Sequence, residues 1–227
     1  MSFYQTLLKQ TETGRAALQS VPLIGRAVAG QITLQEYVCF LSQAYHHVKH
    51  TVPLLMAVGA RLPEDKEWLR GAVAEYIEEE YGHQEWILND IAACGFDAEA
   101  ASRQPPHAAT ELMVAYAYDM VQRVDPVGFF GMVHVLEGTS IAVADRAAQA
   151  IQKSLGLPDA AFSYLTSHGA LDISHMQFFE SLMDRITAPA AQQLIVHSAN
   201  MFFRLYADIF RSVGQTPNAV PKLGSAA

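Results

Sequence analysis

The sequence predicts an all-α protein, and three observations carry this prediction. Apolar residues recur with the 3.6-residue period of a helix along most of the 227-residue chain, and no stretch alternates with a period of two for long enough to predict a strand. Proline and glycine interrupt the periodic segments where helices would begin or end. Hydrophobic residues make up 51% of the chain, which is enough for one buried core. We therefore expect a single helical domain over residues 1–213 and a flexible C-terminal tail over 214–227.

The helices of the N-terminal third follow from their boundary residues. A first helix is predicted over Phe3–Val21, and Pro22 begins a short second segment. Thr33 and Glu36 have the spacing of a capping box, which predicts the start of a long helix. Pro53 lies inside this helix and is expected to bend it.

The remaining helices are delimited in the same way. Pro63 and Glu64 open a helix that continues through Cys94, and Gly95 provides a left-handed residue at its end. The longest loop is expected between this helix and the next. Three further helices and a last one are predicted from Thr110 to Asp125, from Pro126 to Leu155, from Pro158 or Asp159 to Ile186, and from after Pro189 to Val213.

One predicted helix carries ionisable residues on its apolar face. Its stripe consists of Ala161, Leu165, His168, Asp172, His175, Phe179 and Leu182. Burying a carboxylate and two imidazoles is costly unless something compensates their charge and polarity. Because i, i+4 and i+7 residues stack on successive turns, His168, Asp172 and His175 can present two nitrogens and an oxygen to one divalent cation. A His–Asp–His hydrogen-bond network without metal is the alternative.

Two other stripes are interrupted by acids. Glu80 and His83 interrupt the face formed by Leu69, Val73, Tyr76, Ile87 and Ile91. A Glu-x-x-His pair on one helix is a ligand unit of helical di-iron proteins. Glu137 is the charged member of the stripe Phe130, Val133, Glu137, Ile141 and Ala144. His134 either orients Glu137 or is an ordinary core histidine. The neighbouring Glu78, Glu79 and Glu85 fit a solvated face, and Glu75 fits either location.

The three stripes together offer three carboxylates and three imidazoles, which is enough for two metal ions. This donor mixture, without cysteine, suits iron or manganese better than structural zinc, and it favours redox chemistry with oxygen. Aromatic and methionine residues near these positions would line an apolar pocket or simply pack in the core: Phe129, Phe130, Met132, Met176, Phe178, Phe179, Met201, Phe202 and Tyr206.

Composition argues against several other classes of protein. The net charge is −8 and the 15 Lys and Arg residues are scattered, so we do not expect a nucleic-acid partner. The N-terminus lacks the apolar core of a signal peptide and no run of about eighteen apolar residues occurs, so neither secretion nor a membrane span is expected. Cys39 and Cys94 lie in apolar helical patterns, which predicts buried thiols and a cytoplasmic location.

The order Glu-x-x-His, then Glu, then His-x-x-x-Asp-x-x-His resembles the haem-oxygenase-like di-iron oxidase superfamily over nearly the whole chain. The intervals match as well: Glu137 follows His83 by 54 positions, and His168 follows Glu137 by 31. The resemblance implies a haem-oxygenase-like bundle of about seven helices, shared with thiaminase-like and quinone-synthase-like proteins, and a homodimer.

The resemblance also implies the ligand sets. Glu80, His83 and His168 would hold one iron, and Glu137, Asp172 and His175 the second, often labile, iron. Family members use the irons with dioxygen to N-oxygenate amines or to fragment fatty acids and amino acids, so a small-molecule substrate is implied.

Some positions depart from the patterns of family members. Tyr76 stands where some members place the first glutamate, so Glu80 must serve, with Glu79 as the fallback ligand. Ala147 stands where self-sacrificing members have a lysine, which weakens that reaction type.

Four alternatives remain on the sequence. A thiaminase-like hydrolase would use a cysteine nucleophile, for which Cys39 and Cys94 are poorly placed. A cofactorless oxidase would need a polar cavity, to which His46, His47 and Arg123 could contribute. A non-enzymatic helical interaction protein leaves the buried acids unexplained. A ferritin-like bundle would need a second Glu-x-x-His pair. A true haem oxygenase is disfavoured because Phe3–Val21 contains no histidine to bind haem.

Overall fold

The computed structural model describes residues 1–215 and 220–224. For residues 168–174, which lie within the helix Ser163–Arg185, it describes the backbone but not the side chains. The elements of the described chain are helices, as predicted. It contains twelve α-helices, besides short 3₁₀ and π turns: α1 Phe3–Gln10, α2 Glu12–Gln19, α3 Pro22–Val28, α4 Leu34–Val48, α5 Thr51–Arg61, α6 Glu67–Glu80, α7 His83–Ala93, α8 Ala98–Arg103, α9 Ala108–Asp119, α10 Phe129–Leu155, α11 Ser163–Arg185 and α12 Pro189–Gln215.

The described helices outnumber the predicted seven because several predicted helices are broken. The first breaks at Thr11, whose hydroxyl bonds the Leu7 carbonyl oxygen at 2.8 Å. The long helix predicted from Thr33 breaks at Lys49 and His50. Pro53 therefore lies in the first turn of α5, where a helix does not need the missing N–H. The helix that begins after Pro63 breaks at Tyr81 and Gly82. The longest predicted loop contains the short helix α8.

Most other predicted boundaries are confirmed. The capping box is present: the Thr33 hydroxyl accepts from the Glu36 amide at 3.1 Å, and the Glu36 carboxylate accepts from the Thr33 amide at 2.8 Å. Pro126 begins a 3₁₀ turn that leads directly into α10. Gly95 adopts a left-handed backbone, with φ of 83°.

Helix α10 is the centre of the bundle and packs against α11, α12 and α3, while α4 packs against α7 and α5 against α6. The segment Pro126–Leu155 is long and apolar enough to cross a membrane, a property that it shares with core helices of soluble bundles, and 61% of its most apolar window is buried. Gly131 allows α10 to approach α12 closely, because a Cβ placed there would lie 2.6 Å from the Ala199 amide nitrogen. The central helices are therefore held backbone to backbone.

The described part of the C-terminal segment contacts the body of the protein. Val220 is buried, and the Leu223 amide donates to the Gly95 carbonyl at 3.1 Å. The Asp97 amide donates to the Pro221 carbonyl at 2.9 Å. Residues 220–224, for which the sequence predicts flexibility, thus pack beside the end of α7.

Candidate metal centre

Glu80 and His83 lie on either side of a helix break. Glu80 is the last residue of α6 and His83 the first of α7, and Gly82 between them has a left-handed φ of 92°. The expectation that both sit on one continuous helix is therefore wrong. Their side chains still meet, with His83 Nδ1 3.0 Å from Glu80 Oε2. Trp86 stacks on the His83 ring at 4.1 Å between centroids and fixes its plane.

A second carboxylate–imidazole pair lies beside the first. His175, at mid-length on α11, places Nε2 3.2 Å from Glu79 Oε2 on α6. The Glu79 side chain is 43% exposed, whereas the Glu80 side chain is 15% exposed. Glu79 lies on the solvated face as predicted, but it also contacts His175, a predicted ligand. Glu80 is the more buried of the two acids.

Glu137 lies on the same cavity as Glu80. Both line an interior space of about 150 Å³ whose wall is otherwise mainly apolar. The buried stripe of α10 is confirmed at Phe130, Val133 and Ala144. It fails at Ile141, which is 40% exposed, whereas the neighbouring Ser140 lines the cavity.

The structure describes four of the six predicted ligands. His168 and Asp172 lie outside the described side chains, although the backbone of α11 carries them on the turns before His175. Within the described part of the chain, no three His, Cys, Asp or Glu groups stand close enough to share an ion. The described groups form two carboxylate–imidazole pairs and one further acid, a donor set that fits iron or manganese.

Asp90 positions the helix that carries the predicted triplet. This α7 residue is fully buried, and its carboxylate accepts hydrogen bonds from the backbone amides of Ser163 at 3.0 Å and Tyr164 at 2.9 Å, as well as from the Ser163 hydroxyl. It thereby caps the N-terminus of α11 from another helix. Burial raises the pKa of Asp90, and the bonds from Ser163 and Tyr164 lower it in part.

His134 is a core histidine. Its Nε2 lies 3.2 Å from the Thr11 hydroxyl, and its ring stacks against Phe179. Burial, aided by Arg15, lowers its pKa to about 4, so the ring is neutral. None of these described contacts orients Glu137.

Among the residues proposed for metal-free chemistry, His47 lines the cavity, whereas the cysteines and Arg123 do not. Cys39 and Cys94 are buried, and burial raises the pKa of the Cys94 thiol to about 12. Such a thiol is a poor nucleophile. Arg123 pairs with Asp119 at 2.6 Å on the exposed surface, away from the cavity that His47 lines.

The cavity runs along α10, and its wall is built mainly by α3, α4 and α10, with further residues from α5, α6, α11 and α12. Among the aromatic and methionine residues that the sequence placed near the site, Phe129, Met132 and Tyr206 line it. Phe130, Phe179 and Phe202 are buried in the core instead. At the end formed by α3 and α4, Arg26 pairs with Glu36. The cavity thus joins a carboxylate end, with Glu80 and Glu137, to an apolar body.

Comparisons with known proteins identify the family of this chain. A family model described as "Iron-containing redox enzyme" matches residues 38–207. No protein with a curated description matches the sequence.

Solved structures share the fold. A domain of unknown function with a haem-oxygenase-like fold from Shewanella denitrificans OS217 superimposes with a TM-score of 0.83 at 24% identity, covering 95% of this chain and 93% of that one. A TenA homologue from Pseudomonas syringae pv. tomato gives 0.78 at 10% identity, covering 94% and 93%. Haem oxygenase-1 from Synechocystis sp. PCC 6803, solved with haem, gives 0.74 at 12% identity, covering 94% and 92%. The predicted haem-oxygenase-like fold is therefore confirmed.

Proposed function

We propose that this chain, which belongs to the family of iron-containing redox enzymes, is a non-haem di-iron oxidase or oxygenase that acts on a small substrate with an apolar portion. The observation that carries the proposal is the shared cavity of Glu80 and Glu137, with two carboxylate–imidazole pairs beside it. Glu80 and Glu137 are partly buried acids that face a mainly apolar space, where a cation would favour their charged forms.

The assignment of ligands follows the predicted sets. Glu80, His83 and His168 would hold one ion, and Glu137, Asp172 and His175 the other. Iron bound there would supply electrons and open coordination positions for the activation of dioxygen. Manganese can take the same donors and is therefore included in the test.

The protein's own contribution is positioning and exclusion of water. Trp86 and the helix break hold His83 in place, and Asp90 fixes the start of α11. The apolar cavity wall keeps bulk water from the substrate, which strengthens electrostatic interactions at the carboxylate end. Amines, amino acids and fatty-acid-like molecules are the substrates to screen, with N-oxygenation and C–C cleavage as the expected reaction types.

Metal loading tests the proposal directly. Metal-free protein is incubated anaerobically with Fe²⁺ or, separately, Mn²⁺, and the bound metal is counted after removal of the excess. We expect about two irons per chain and loss of at least one in His168→Ala and in Asp172→Ala. Glu78→Gln is the matched control, because Glu78 is an exposed acid on α6. The dinuclear assignment fails if His168→Ala and Asp172→Ala load like the parent protein, or if the parent binds one ion even at excess iron.

The choice between Glu79 and Glu80 needs a separate comparison. Glu80→Gln should lower iron binding more than Glu79→Gln, because Glu80 is more buried and lines the cavity. The reverse order would make Glu79 the ligand. Loaded protein is then exposed to oxygen, with and without candidate substrates, and followed by visible absorption and product analysis.

A further inference from the structure

Tyr76 carries a buried hydroxyl that the fold does not use. The residue is 2% exposed, and its hydroxyl oxygen is buried without a hydrogen-bond partner among the described residues. Its ring contacts Phe178 on α11 at 5.7 Å between centroids, so the side chain is held in place by packing. Buried hydroxyls are normally hydrogen-bonded, and each exception calls for an explanation.

The hydroxyl belongs to the carboxylate end of the cavity. Tyr76, Glu80 and Glu137 all line the same space. Burial raises the pKa of Tyr76, and the Glu137 carboxylate is the next largest cause, so the phenol keeps its proton and remains a donor.

Three other polar groups of the cavity wall have partners within the protein. The Tyr37 hydroxyl donates to the Ala161 carbonyl at 2.7 Å, and the Thr139 hydroxyl donates to the Val135 carbonyl at 2.6 Å. Glu36 is paired with Arg26. The remaining wall is mainly apolar, so Tyr76, Glu80 and Glu137 offer a ligand one group of polar contacts.

We propose that Tyr76 binds the polar head of the ligand, donating a hydrogen bond from its hydroxyl to a neutral oxygen on a molecule whose aliphatic chain occupies the apolar cavity. The inference rests on the proposed function only in that the same cavity is taken as the substrate site. A neutral head fits better than an anion, because Glu80 and Glu137 repel negative charge in the metal-free protein. A hydroxyl head can also donate to one of these carboxylates while it accepts from Tyr76.

Unfolding of the metal-free protein tests whether the hydroxyl is free. Tyr76→Phe should leave the melting temperature unchanged or raise it by about 2–4 °C, because an unpaired polar atom leaves the core. Tyr37→Phe, the matched control in the same wall, should lower it because the bond to Ala161 is lost. A loss of stability in Tyr76→Phe equal to that in Tyr37→Phe would show a structural partner and overturn the proposal.

Ligand binding tests the role itself, with octan-1-ol as the probe and calorimetry on metal-free protein. Tyr76→Phe should weaken binding about five- to ten-fold, the effect of one hydrogen bond. Tyr118→Phe, whose hydroxyl contacts His50 at 3.1 Å and does not line the cavity, should bind like the parent protein. 1-Chlorooctane, which has a similar chain without the oxygen, should bind the parent and Tyr76→Phe alike. Equal octan-1-ol binding by the parent and Tyr76→Phe, or no binding to the parent, overturns the inference. Since no metal is present, this outcome is separate from that of iron loading.

Discussion

Removal of the Asp90 carboxylate should destabilise the protein and disturb the candidate metal centre together. Asp90 is the one described acid that links α7, which begins at His83, to the N-terminus of α11, which carries His175. In Asp90→Ala the backbone amides of Ser163 and Tyr164 lose their acceptor in a buried location. The helices that carry His83 and His175 would then lose the hydrogen bonds that join them at this point.

The magnitude follows from the number of lost bonds. A buried donor left without a partner costs about 1–3 kcal/mol. Two backbone amides lose their acceptor in Asp90→Ala, so we expect a loss of about 2–6 kcal/mol in the free energy of unfolding. Asp90→Asn keeps one acceptor oxygen and should lose about 1–3 kcal/mol. The raised pKa of Asp90 means that burial of its charge is itself unfavourable, which further reduces the loss on changing to a neutral amide.

Urea unfolding of the metal-free protein measures the loss, and anaerobic iron titration measures the effect on the site. The matched control is Asp97→Ala, because Asp97 caps the short helix α8 by accepting from the Ala100 amide at 2.9 Å, away from the site. The control should cost about 0.5–2 kcal/mol and leave iron binding unchanged. If Asp90→Ala unfolds like the parent, or if it loses stability while iron binding stays intact, the role assigned to Asp90 is refuted.

Two further predictions concern the central helix α10. Burial lowers the pKa of His134 to about 4, below its ordinary value, so the free energy of unfolding should fall by up to about 3 kcal/mol as the pH falls from about 6.5 to 4. His134→Gln should flatten this pH dependence, as measured by urea unfolding. An identical pH dependence in the variant would contradict the prediction. Gly131→Ala should lower the free energy of unfolding by about 1–3 kcal/mol or more, because the added Cβ would meet the α12 backbone at Ala199. Gly138→Ala should raise the free energy of unfolding by about 1 kcal/mol, because a Cβ at this position meets open space among the described residues. Thermal unfolding compares the glycine variants, and equal shifts would refute the close approach of α10 and α12.

Periodicity was sufficient to predict the helical fold and most buried faces. Leu69, Val73 and Ile87 are buried as the stripe requires, and so are His83 and His175. These predictions work because a helix repeats its exposure every 3.6 residues regardless of what covers it. The helical period also predicted that Cys39 and Cys94 are buried, and both are.

Features that depend on tertiary contacts were not predicted. The break at Gly82 was missed because the apolar period continues in phase across Tyr81, although a glycine within the pattern was the available signal. The capping of α11 by Asp90 joins residues 73 positions apart, so no local pattern could reveal it. The contact of Glu79 with His175 likewise depends on how α6 and α11 pack.

The interruption between α6 and α7 gives the Glu80–His83 pair an adjustable spacing. In an unbroken helix the i, i+3 distance is fixed by the hydrogen-bonded backbone, whereas here the rotations of Tyr81 and Gly82 set it. Each partner is anchored to its own helix, so the angle between α6 and α7 decides the gap between carboxylate and imidazole. The spacing of this donor pair is therefore set by the packing of two helices and not by the repeat of one.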